Sequence, residues 1–241
     1  MSIDSTCKLL GVSRQVYYRK KRSFAKKQER AQQVVALVDE VRRDMPRLGT
    51  SKLYYLLGDS LQELVGRDKL FSILRANHML ISPKKNYGIT TNSHHRFRKH
   101  KNLIVDLEVQ HPEQVWVSDI TYIDGKEDCY LVLITDAYSK KIMGYDLSDS
   151  LATQGVLRAL KMANQQREYG HQTLIHHSDR GVQYCSYAYQ ELLEKNKITP
   201  SMTESYDPYA NAIAERINGI LKQEFLLEEY KVNMETMKLL L

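Results

Sequence analysis

The order of apolar segments after residue 113 limits this chain to a small set of folds. Three strand-like runs follow one another with short turns between them, at 114–123, 130–137 and 141–147. Helical and strand-like segments then alternate, as a helix at 153–169, a strand at 172–177, a helix at 186–195, a strand at 199–203 and a helix at 211–227. The order predicts an α/β fold in which a mixed five-stranded sheet is flanked by helices.

Short predicted helices fill the preceding part of the chain. An apolar stripe predicts a helix over 30–45 that Pro46 ends, and further helices are predicted over 51–58, after a capping Thr50, and over 67–77. Together they form a small all-α bundle. We therefore divide the chain into an N-terminal helix-turn-helix-like segment (1–30), a helical domain (31–92), a basic linker (93–108) and a core (109–241).

Residues 5–22 predict a smaller helical motif of their own. A helix that follows Ser5 and ends at Gly11 is joined by a tight turn to a second helix capped by Ser13, which is the layout of a helix-turn-helix. The second helix offers side chains suited to base and phosphate contacts, namely Arg14, Gln15, Tyr18 and Arg19. A solvated basic helix without a DNA partner is the alternative.

A basic stretch without clear periodicity joins the two halves of the chain. Residues 82–101 are rich in Lys, Arg, His, Ser and Asn, and they include Lys84, Lys85, Arg96, Arg98 and Lys99. This composition is typical of a linker. This stretch serves either as a basic arm along a phosphate backbone or as a solvated tether. The two roles are compatible, because a basic tether that lies beside DNA also binds the DNA.

The charge of the chain divides at nearly the same place. Residues 1–105 hold 22 Lys and Arg against 8 Asp and Glu, a net +14, whereas residues 106–241 hold 13 against 21, a net −8. The basic half suits a polyanion, most simply nucleic acid. The acidic half needs its carboxylates neutralised if it is to approach nucleic acid, and a divalent metal ion is the usual agent.

The sequence also argues against several classes of protein. No apolar run approaches the ~18 residues of a membrane span, and the N-terminus lacks the apolar stretch of a signal peptide. Cys7, Cys129 and Cys185 form no C-x-x-C pair, which argues against a disulfide framework and against a cysteine zinc site. We expect a soluble protein of a reducing compartment with no membrane partner.

Three carboxylates stand out by their surroundings. Asp119 lies within an apolar strand, Asp179 directly follows a strand, and Glu215 lies one turn into the last predicted helix. Each residue also has an ordinary alternative role. Asp119 could be a strand-end residue that is hydrogen-bonded to the backbone, and Asp179 could form a turn before Gly181. Glu215 could be an ordinary acid in the first turn of a helix, where the helix dipole favours it. Together they are the hard oxygen ligands that a pair of Mg²⁺ ions needs for phosphoryl transfer.

The spacing of these carboxylates resembles a known signature. Between Asp119 and Asp179 lie 59 residues, and between Asp179 and Glu215 lie 35. This resembles the D,D-35-E signature of retroviral-integrase-like transposases, whose core has an RNase-H-like fold. Four flanking segments are similar to those of the second-frame (OrfB) transposases of the bacterial insertion-sequence group named "three": Trp116–Tyr122, Leu133–Ser139, His177–Tyr184 and Asn211–Asn218. Residues 36–92 also resemble the helix-turn-helix region that precedes the core in that group.

The resemblance implies roles for particular residues. Asp119, Asp179 and Glu215 are implied to be catalytic and to bind two Mg²⁺ or Mn²⁺ ions. Lys222 is implied to contact DNA from the core, and Arg180 and Asn211 are implied to have supporting roles. His176 and His177 are expected to form hydrogen bonds or to lie near DNA. Retroviral integrases carry a His-His-Cys-Cys zinc module before the core, and because this chain lacks the cysteines we expect no zinc.

The resemblance also implies an activity and partners. It implies a DDE transposase that cleaves the end of an insertion sequence and transfers the freed 3′ end to a target, with double-stranded DNA (element ends and target) as its partner. A homo-oligomer on DNA, fusion or association with the first-frame protein, and a location in the bacterial cytoplasm at the nucleoid are implied as well.

The end of the sequence leaves other functions open. The chain stops 26 residues after Glu215, whereas members of the group continue with a segment that includes a Tyr-Asn…Arg-Pro-His stretch. The alternative function is therefore a truncated, non-catalytic DNA-binding regulator of transposition. A different RNase-H-like nuclease is a third hypothesis, against which the carboxylate spacing and the N-terminal helices argue.

Overall fold

The structure is a computed structural model that describes residues 2–82, 96–123, 129–204 and 212–241. The chain divides into two compact units, Met1–Lys84 and Lys85–Leu241. Within the described residues, no helix combines the length and the apolar character that crossing a bilayer requires.

The first unit is a helical bundle. Its described helices are α1 (Ile3–Leu9), α2 (Arg14–Asp44), α3 (Thr50–Leu56), α4 (Gly58–Gln62) and α5 (Arg67–Ala76). The core contains Val34 and Val38 of α2 together with apolar side chains of the later helices, among them Leu53, Leu61, Leu70 and Leu74. Arg42 ties the bundle together, since its guanidinium donates to the backbone oxygens of Leu48 (3.1 Å) and Met79 (2.7 Å).

Helix α2 is longer than the sequence predicted. We expected one helix to end within residues 5–22 and another to begin near residue 30, but Arg14–Asp44 is continuous and crosses the boundary placed after residue 30. Residues 23–30 lack an apolar period, yet they are mostly Ala, Lys, Gln, Glu and Arg, which favour a helix by propensity alone. Over 14–30 every residue except Val16 is exposed, so the buried residues of α2 all lie in its second half.

The helix starts in this unit follow three different patterns. Ser13 caps α2 as predicted, because its hydroxyl accepts a hydrogen bond from the backbone nitrogen of Val16 (3.3 Å). Helix α1 begins earlier than expected, since Ser2 is its cap and accepts from Ser5 (3.2 Å). Thr50 is the first residue of α3 and not its cap, which is Gly49. The short helix α4 was not predicted.

The second unit is built on the mixed five-stranded sheet that the sequence predicted. Its strands are β1 (Val115–Ile123), β2 (Cys129–Asp136), β3 (Ile142–Ser148), β4 (Leu174–Ser178) and β5 (Ile198–Met202), in the spatial order β3-β2-β1-β4-β5. The pairs β1–β2 and β2–β3 are antiparallel, and β1–β4 and β4–β5 are parallel. This is the RNase-H-like arrangement, with an antiparallel meander extended by two parallel strands.

Helices cover both faces of this sheet. The described helices are α6 (Thr153–Gln165), α7 (Val182–Cys185), α8 (Tyr187–Lys195), α9 (Ala212–Gln223) and α10 (Met234–Leu240), with a 3₁₀ turn at Leu227–Glu229. On the α6/α8 face, Trp116 and Ile134 are buried against Leu160 and Tyr189. Helix α6 lies so close to β3 that a Cβ on Gly144 would collide with the backbone oxygen of Ala159.

The α9 face is covered by the last part of the chain. Ile217 and Leu221 of α9 pack against a cluster that includes Leu133, and Leu227 and Met237 are buried in the same cluster. Helix α10 and the short helix α7 were not predicted from the sequence. The residues after α9 thus close the core over the β1–β3 meander.

The predicted linker makes ordered contacts with the sheet. Phe97 packs against the core of the α6/α8 face, while Ile104 and Leu107 pack against the α9-face cluster around Val117. The backbone nitrogen of Met202, at the end of β5, donates to the oxygen of Lys101 (3.3 Å). The described part of the stretch predicted as a linker over 93–108 is therefore packed against the second unit.

Candidate active site

Strand register brings the two candidate aspartates to adjacent positions. Ser118 of β1 is the register partner of Ser178 in the parallel strand β4. Asp119 and Asp179 are the next residues along the chain, so they lie side by side just past the last β1–β4 pair, at about the 4.8 Å spacing of neighbouring strands. Asp119 is still paired with Leu133 of β2. The carboxyl ends of parallel strands are where ligands bind in open α/β sheets.

Helix α9 brings the third candidate carboxylate to the same region. Glu215 is exposed in the first turn of α9, and this helix packs against β1. One turn later, the side-chain nitrogen Nδ2 of Asn218 donates to Oδ2 of Asp119 at 2.7 Å. The polar stripe predicted on this helix therefore faces the aspartates, while Ile217 packs in the core as expected.

The pKa of Asp119 depends on the charges of the other two candidate carboxylates. Burial is the main cause that raises the pKa of Asp119 to about 7, and the charge of Asp179, followed by that of Glu215, raises it further. Hydrogen bonds from the backbone of Ile120 and from the Asn218 amide lower it. The charges of Asp179 and Glu215 both act on Asp119, so the three acids share one electrostatic site.

The donor set fits a hard divalent cation. All three side chains supply carboxylate oxygens, the ligands that Mg²⁺ prefers. A cation would offset both the burial of the Asp119 charge, which is the main cause of its raised pKa, and its repulsion by Asp179 and Glu215. Among the described residues, no group of three or more His, Cys, Asp and Glu side chains is already arranged to hold one ion. Glu215 is the exposed member of the set, and both aspartates are half-buried.

Hydrogen bonds from the α6/α8 face support the strand beside Asp119. The hydroxyl of Ser118 donates to the backbone oxygen of Leu133 (3.0 Å), which leaves Tyr184 as the donor in the 2.8 Å bond between the Tyr184 and Ser118 hydroxyls. Gly181 donates its backbone N–H to Oδ1 of Asp179 (2.9 Å). Both aspartates are thus positioned by the residues of the 179–184 turn and its helix α7.

His176 and His177 form hydrogen bonds within the core, one of the two roles expected for them. His176 is buried and its Nε2 lies 2.9 Å from the hydroxyl of Tyr189. Burial is the main cause that lowers the pKa of His176 to about 3, with His177 lowering it further, so the imidazole is neutral. The Nδ1 of His177 lies 2.9 Å from the hydroxyl of Ser201.

Asp136, which the sequence did not assign as a ligand, has a structural role. It is fully buried at the end of β2, where its Oδ1 accepts from the backbone of Glu113 (2.8 Å). Its Oδ2 accepts from the backbone (2.7 Å) and hydroxyl (2.6 Å) of Ser139. These bonds shape the turn between β2 and β3 and tie it to Glu113, just before β1.

The predicted DNA-binding residues of the first unit share one helix. Arg14, Gln15, Tyr18 and Arg19 are exposed in the first turns of α2. Residues 14–30 hold eight Lys and Arg against the single acid Glu29. This half of α2 therefore presents a dense positive charge to solvent, although its contact with DNA stays a prediction.

The predicted DNA-binding residues of the second unit fall into three groups. Arg96, Arg98 and Lys99 are exposed on the segment packed beside β5. Arg180 follows Asp179 directly and is half-buried, and Lys222 is half-buried near the end of α9, two turns after Glu215. Lys84, Lys85 and Asn211 lie outside the described residues, as do Asp124 and Asp128.

Sequence reasoning missed two supporting residues of the site. Asn218 was placed on the polar stripe of α9, but its bond to Asp119 was not foreseen, although its position one turn after Glu215 was a usable signal. Tyr184 was recognised only as part of a flanking segment. Its contact with Ser118 joins residues 66 positions apart, and no local pattern reports such a contact.

Comparisons with known proteins identify relatives of this chain. Residues 109–208 match the family model of the integrase core domain. The chain is 33% identical over 233 residues to the 31 kDa protein of insertion element IS600 from Shigella sonnei, covering 94% of this chain and 84% of that protein. It is 27% identical over 249 residues to transposase InsF for insertion sequence IS3A of Escherichia coli (strain K12), covering 98% and 84%. Among solved structures, a simian T-cell lymphotropic virus intasome contains a chain with a TM-score of 0.46 and 18% identity, covering 81% of this chain and 64% of that one.

Proposed function

The chain belongs to the insertion-sequence transposases of the IS3 group, which carry an integrase core domain, and on this premise we propose how its residues cut and join DNA. The protein is a DDE-type polynucleotidyl transferase that acts in transposition and DNA integration. Asp119, Asp179 and Glu215 are its catalytic carboxylates. The observation that carries this assignment is the convergence of adjacent strands β1 and β4 with helix α9, which bears both Glu215 and the amide that holds Asp119.

The three carboxylates bind divalent metal, which we propose to be two Mg²⁺ or Mn²⁺ ions. When bound, the ions supply activation of the attacking oxygen and stabilisation of the leaving oxygen on phosphorus. Asp119 and Asp179 hold their positions through the sheet, and Glu215 completes the set from α9. The reaction needs no covalent bond between protein and DNA, because positioning and charge neutralisation carry phosphoryl transfer.

The protein's own residues orient this set. Asn218 fixes one oxygen of Asp119, and the Gly181 backbone fixes one oxygen of Asp179. The bond between Ser118 and Tyr184 holds β1 against α7 on the other side of the sheet. Side chains held in this way lose little conformational freedom when DNA arrives, which favours a productive geometry.

Contacts to DNA come from basic residues in both units. The exposed half of α2 (through Arg14, Gln15, Tyr18 and Arg19) contacts the element ends. In the second unit, Arg96, Arg98 and Lys99 contact phosphates, and Arg180, Asn211 and Lys222 contact the strand being cut. Lys84 and Lys85 belong to the same DNA-binding set. These basic residues are needed because residues 106–241 carry a net charge of −8. A core with that charge repels the DNA phosphate backbone that it must approach.

The remaining partners follow from the proposed reaction. Two ends of an element are joined to one target, so we propose a homo-oligomer on DNA, in fusion or association with the first-frame protein. Its substrate is double-stranded bacterial DNA, which places the proposed site of action in the cytoplasm at the nucleoid. The charge division at residue 105 supports a basic part that recognises DNA ahead of a catalytic core over 109–241. In the basic part, the proposed segments 1–30 and 31–92 share the continuous helix α2, and the described residues of the proposed connector 93–108 pack on the core.

The test is cleavage and strand transfer on labelled element-end duplexes with Mn²⁺. We expect the full chain to release a defined 3′ end and join it to target DNA, and Asp119→Asn to abolish both steps. Asp149→Asn, at an exposed aspartate after β3, is the matched control and should leave activity unchanged. Activity that survives Asp119→Asn would overturn the assigned chemistry. Metal-independent binding without any cleavage would favour the non-catalytic regulator.

A further inference from the structure

A surface at the edge of the sheet lies beside the candidate active site and has no role in the scheme above beyond its charge. It consists of residues 96–101 and Tyr187, and we call it the edge platform. The platform is fixed to β5, since the backbone nitrogen of His100 contacts Sδ of Met202 (3.5 Å) and Met202 in turn donates to the oxygen of Lys101 (3.3 Å). Its outer end is fixed by Phe97, whose ring meets that of Tyr187 edge-on at 5.7 Å between centroids.

Sheet register places this platform next to Asp179. Met202 is the register partner of Ser178, the residue before Asp179, and Thr203 donates to the Ser178 oxygen (3.0 Å). The charges agree with this placement. The pKa of the Cys185 thiol is raised to about 11, mainly by burial. Asp179 contributes to the rise, and Lys99 and Arg180 act against it. The buried Cys185 thiol is therefore close enough to Lys99, Asp179 and Arg180 for all three charges to change its pKa.

The platform combines exposed cations with an exposed aromatic ring. Arg96, Arg98, Lys99 and Lys101 are all exposed. Tyr187 is 83% exposed, the most exposed tyrosine among the described residues, although it begins a helix whose next aromatic residue, Tyr189, is fully buried. Phe97 contacts the Tyr187 ring at one place, and most of that ring remains exposed to solvent. The platform thus offers one exposed aromatic ring beside four exposed cations.

Cations that alternate with an open aromatic face match the chemistry of an unpaired nucleic-acid strand. The phosphates of such a strand pair with Arg and Lys, and its bases stack on aromatic rings irrespective of sequence. An intact duplex offers phosphates to the cations but keeps its bases stacked inside, so it has nothing for Tyr187 to contact. Glu191, exposed one turn further along α8, limits the cationic surface on the far side.

We propose that the edge platform binds a short unpaired stretch of one DNA strand next to the active site, with Arg98 and Lys99 on its phosphates and Tyr187 stacked on one of its bases. The inference rests on the proposed function, because it assigns part of the path of the DNA that is cut. Drawing one strand away from its complement brings its backbone past Arg180 to the catalytic carboxylates. Tyr187 then holds the displaced base while the phosphate of the same strand lies at the catalytic carboxylates.

Binding of the full chain to two matched DNA probes in EDTA tests this proposal. One probe is an element-end duplex with a short single-stranded overhang that carries 2-aminopurine, and the other is the same duplex with a blunt end. We expect Tyr187→Ala to weaken binding of the overhang probe roughly 5- to 150-fold, the range for loss of one stacked base, and to leave the blunt probe unchanged. Tyr187→Phe and Tyr187→Trp should keep the tight binding and the quenching of 2-aminopurine.

Matched controls separate stacking from charge and from folding. Tyr138→Ala removes a tyrosine of the same unit that is 50% exposed beyond the opposite end of β1, and it should change neither probe. Exchange of Arg98 and Lys99 for Gln should weaken both probes and lower the salt dependence of binding, whereas Lys161→Gln on α6 should do neither. An unchanged overhang affinity in Tyr187→Ala, or an equal loss for both probes, would overturn the stacking site.

Cleavage assays on the same proteins distinguish this failure from that of the proposed function. A wild-type chain that binds the overhang probe through Tyr187 but never cleaves DNA with Mn²⁺ would retain the platform and overturn the catalytic assignment. A chain that cleaves DNA with overhang affinity independent of Tyr187 would retain the catalytic assignment and overturn the platform.

Discussion

The amide of Asn218 donates to Oδ2 of Asp119 at 2.7 Å, and this bond joins the helix that carries Glu215 to the strand that carries the first aspartate. Asn218 is 5% exposed, so the bond is protected from competition by water. Because Glu215 lies one turn earlier on the same helix, the placement of Glu215 relative to Asp119 depends on this contact.

Loss of this bond should move the pH dependence of catalysis. The Asn218 amide lowers the pKa of Asp119, so Asn218→Ala should raise that pKa above about 7 and shift the acid limb of the rate profile to higher pH. At neutral pH we expect activity to fall on the order of tenfold, the usual effect of removing a residue that orients a metal ligand. Asn196→Ala, at the end of α8, is the control. A tenfold loss without a shift in the profile would mean that Asn218 acts only through packing.

Removal of the Asp119 charge should stabilise the metal-free protein. The pKa of Asp119 is raised from 3.8 to about 7, so its ionisation costs stability progressively as pH rises from about 4 through 7. In EDTA at pH 8, Asp119→Asn should be more stable by on the order of 1–2 kcal/mol after allowance for screening, or roughly 3–6 °C in Tm. Mg²⁺ should stabilise the wild type more than the variant. A lower Tm for Asp119→Asn in EDTA would contradict the electrostatic description of the site.

Protonation of His176 should destabilise the second unit below neutral pH. Its pKa is lowered from 6.5 to about 3, so its contribution to stability is complete above pH 6.5 and is lost as pH falls toward 3, by about 1.4 kcal/mol per pH unit. Urea unfolding between pH 7.5 and 5 can be followed by the fluorescence of Trp116, the single tryptophan, which is buried beside His176 in the sheet. His176→Gln should lose this part of the pH slope, and equal slopes in both proteins would refute the assignment.

The contact between α6 and β3 predicts opposite effects for two glycine substitutions. Gly144→Ala places a Cβ against the Ala159 backbone and should destabilise the second unit by about 2 kcal/mol or more. Gly219→Ala lies in α9 with open space around the new methyl group, so it should stabilise the helix by up to about 1 kcal/mol. Chemical denaturation monitored at Trp116 measures both. Similar effects of the two changes would show that α6 is not packed this closely.

The exposed half of α2 should contribute to DNA affinity through salt-dependent binding to phosphates. Exchange of Lys20, Lys21 and Arg22 for Gln should weaken binding to all DNA sequences alike. It should also lower the slope of log K against log salt by about 0.9 for each phosphate that the protein no longer neutralises. The same exchange at three cations of the second unit, Lys161, Lys231 and Lys238, is the control. If the slope of the α2 variant matches that of the wild type, the helix does not lie on the phosphate backbone.

The arrangement of the sheet and the position of the carboxylates followed from local patterns. Apolar runs of strand length separated by short turns define β1 to β3, and Asp119 is conspicuous because a carboxylate is costly in such a run. The stripe on α9 placed Glu215 and Asn218 on one face, and the bond of Asn218 to Asp119 shows where that face points. These features depend on a period of two or of 3.6 residues, which one sequence displays directly.

Other features depended on contacts between distant residues. Phe97 looked like part of a linker because its partner, Tyr187, lies 90 positions away. The hydrogen bonds between Met202 of β5 and residues 100–101 likewise leave no mark on local sequence. The continuity of α2 was missed for the opposite reason, since residues 23–30 form a helix without burying anything and so carry no apolar period. Helix α10 escaped because its single buried residue, Met237, is too little to define a stripe.

The register of β1 has a consequence for how such a chain tolerates change. Neighbouring residues of this strand serve opposite sides of the sheet: Ser118 is held by Tyr184 on one side, and Asp119 is held by Asn218 on the other. A single inserted or deleted residue before Ser118 would exchange the two sides, so that a hydroxyl faced Glu215 and a carboxylate entered the aromatic core. β1 therefore tolerates substitution but not a change of length before Ser118, because the number of residues there decides which face of the sheet each later side chain occupies.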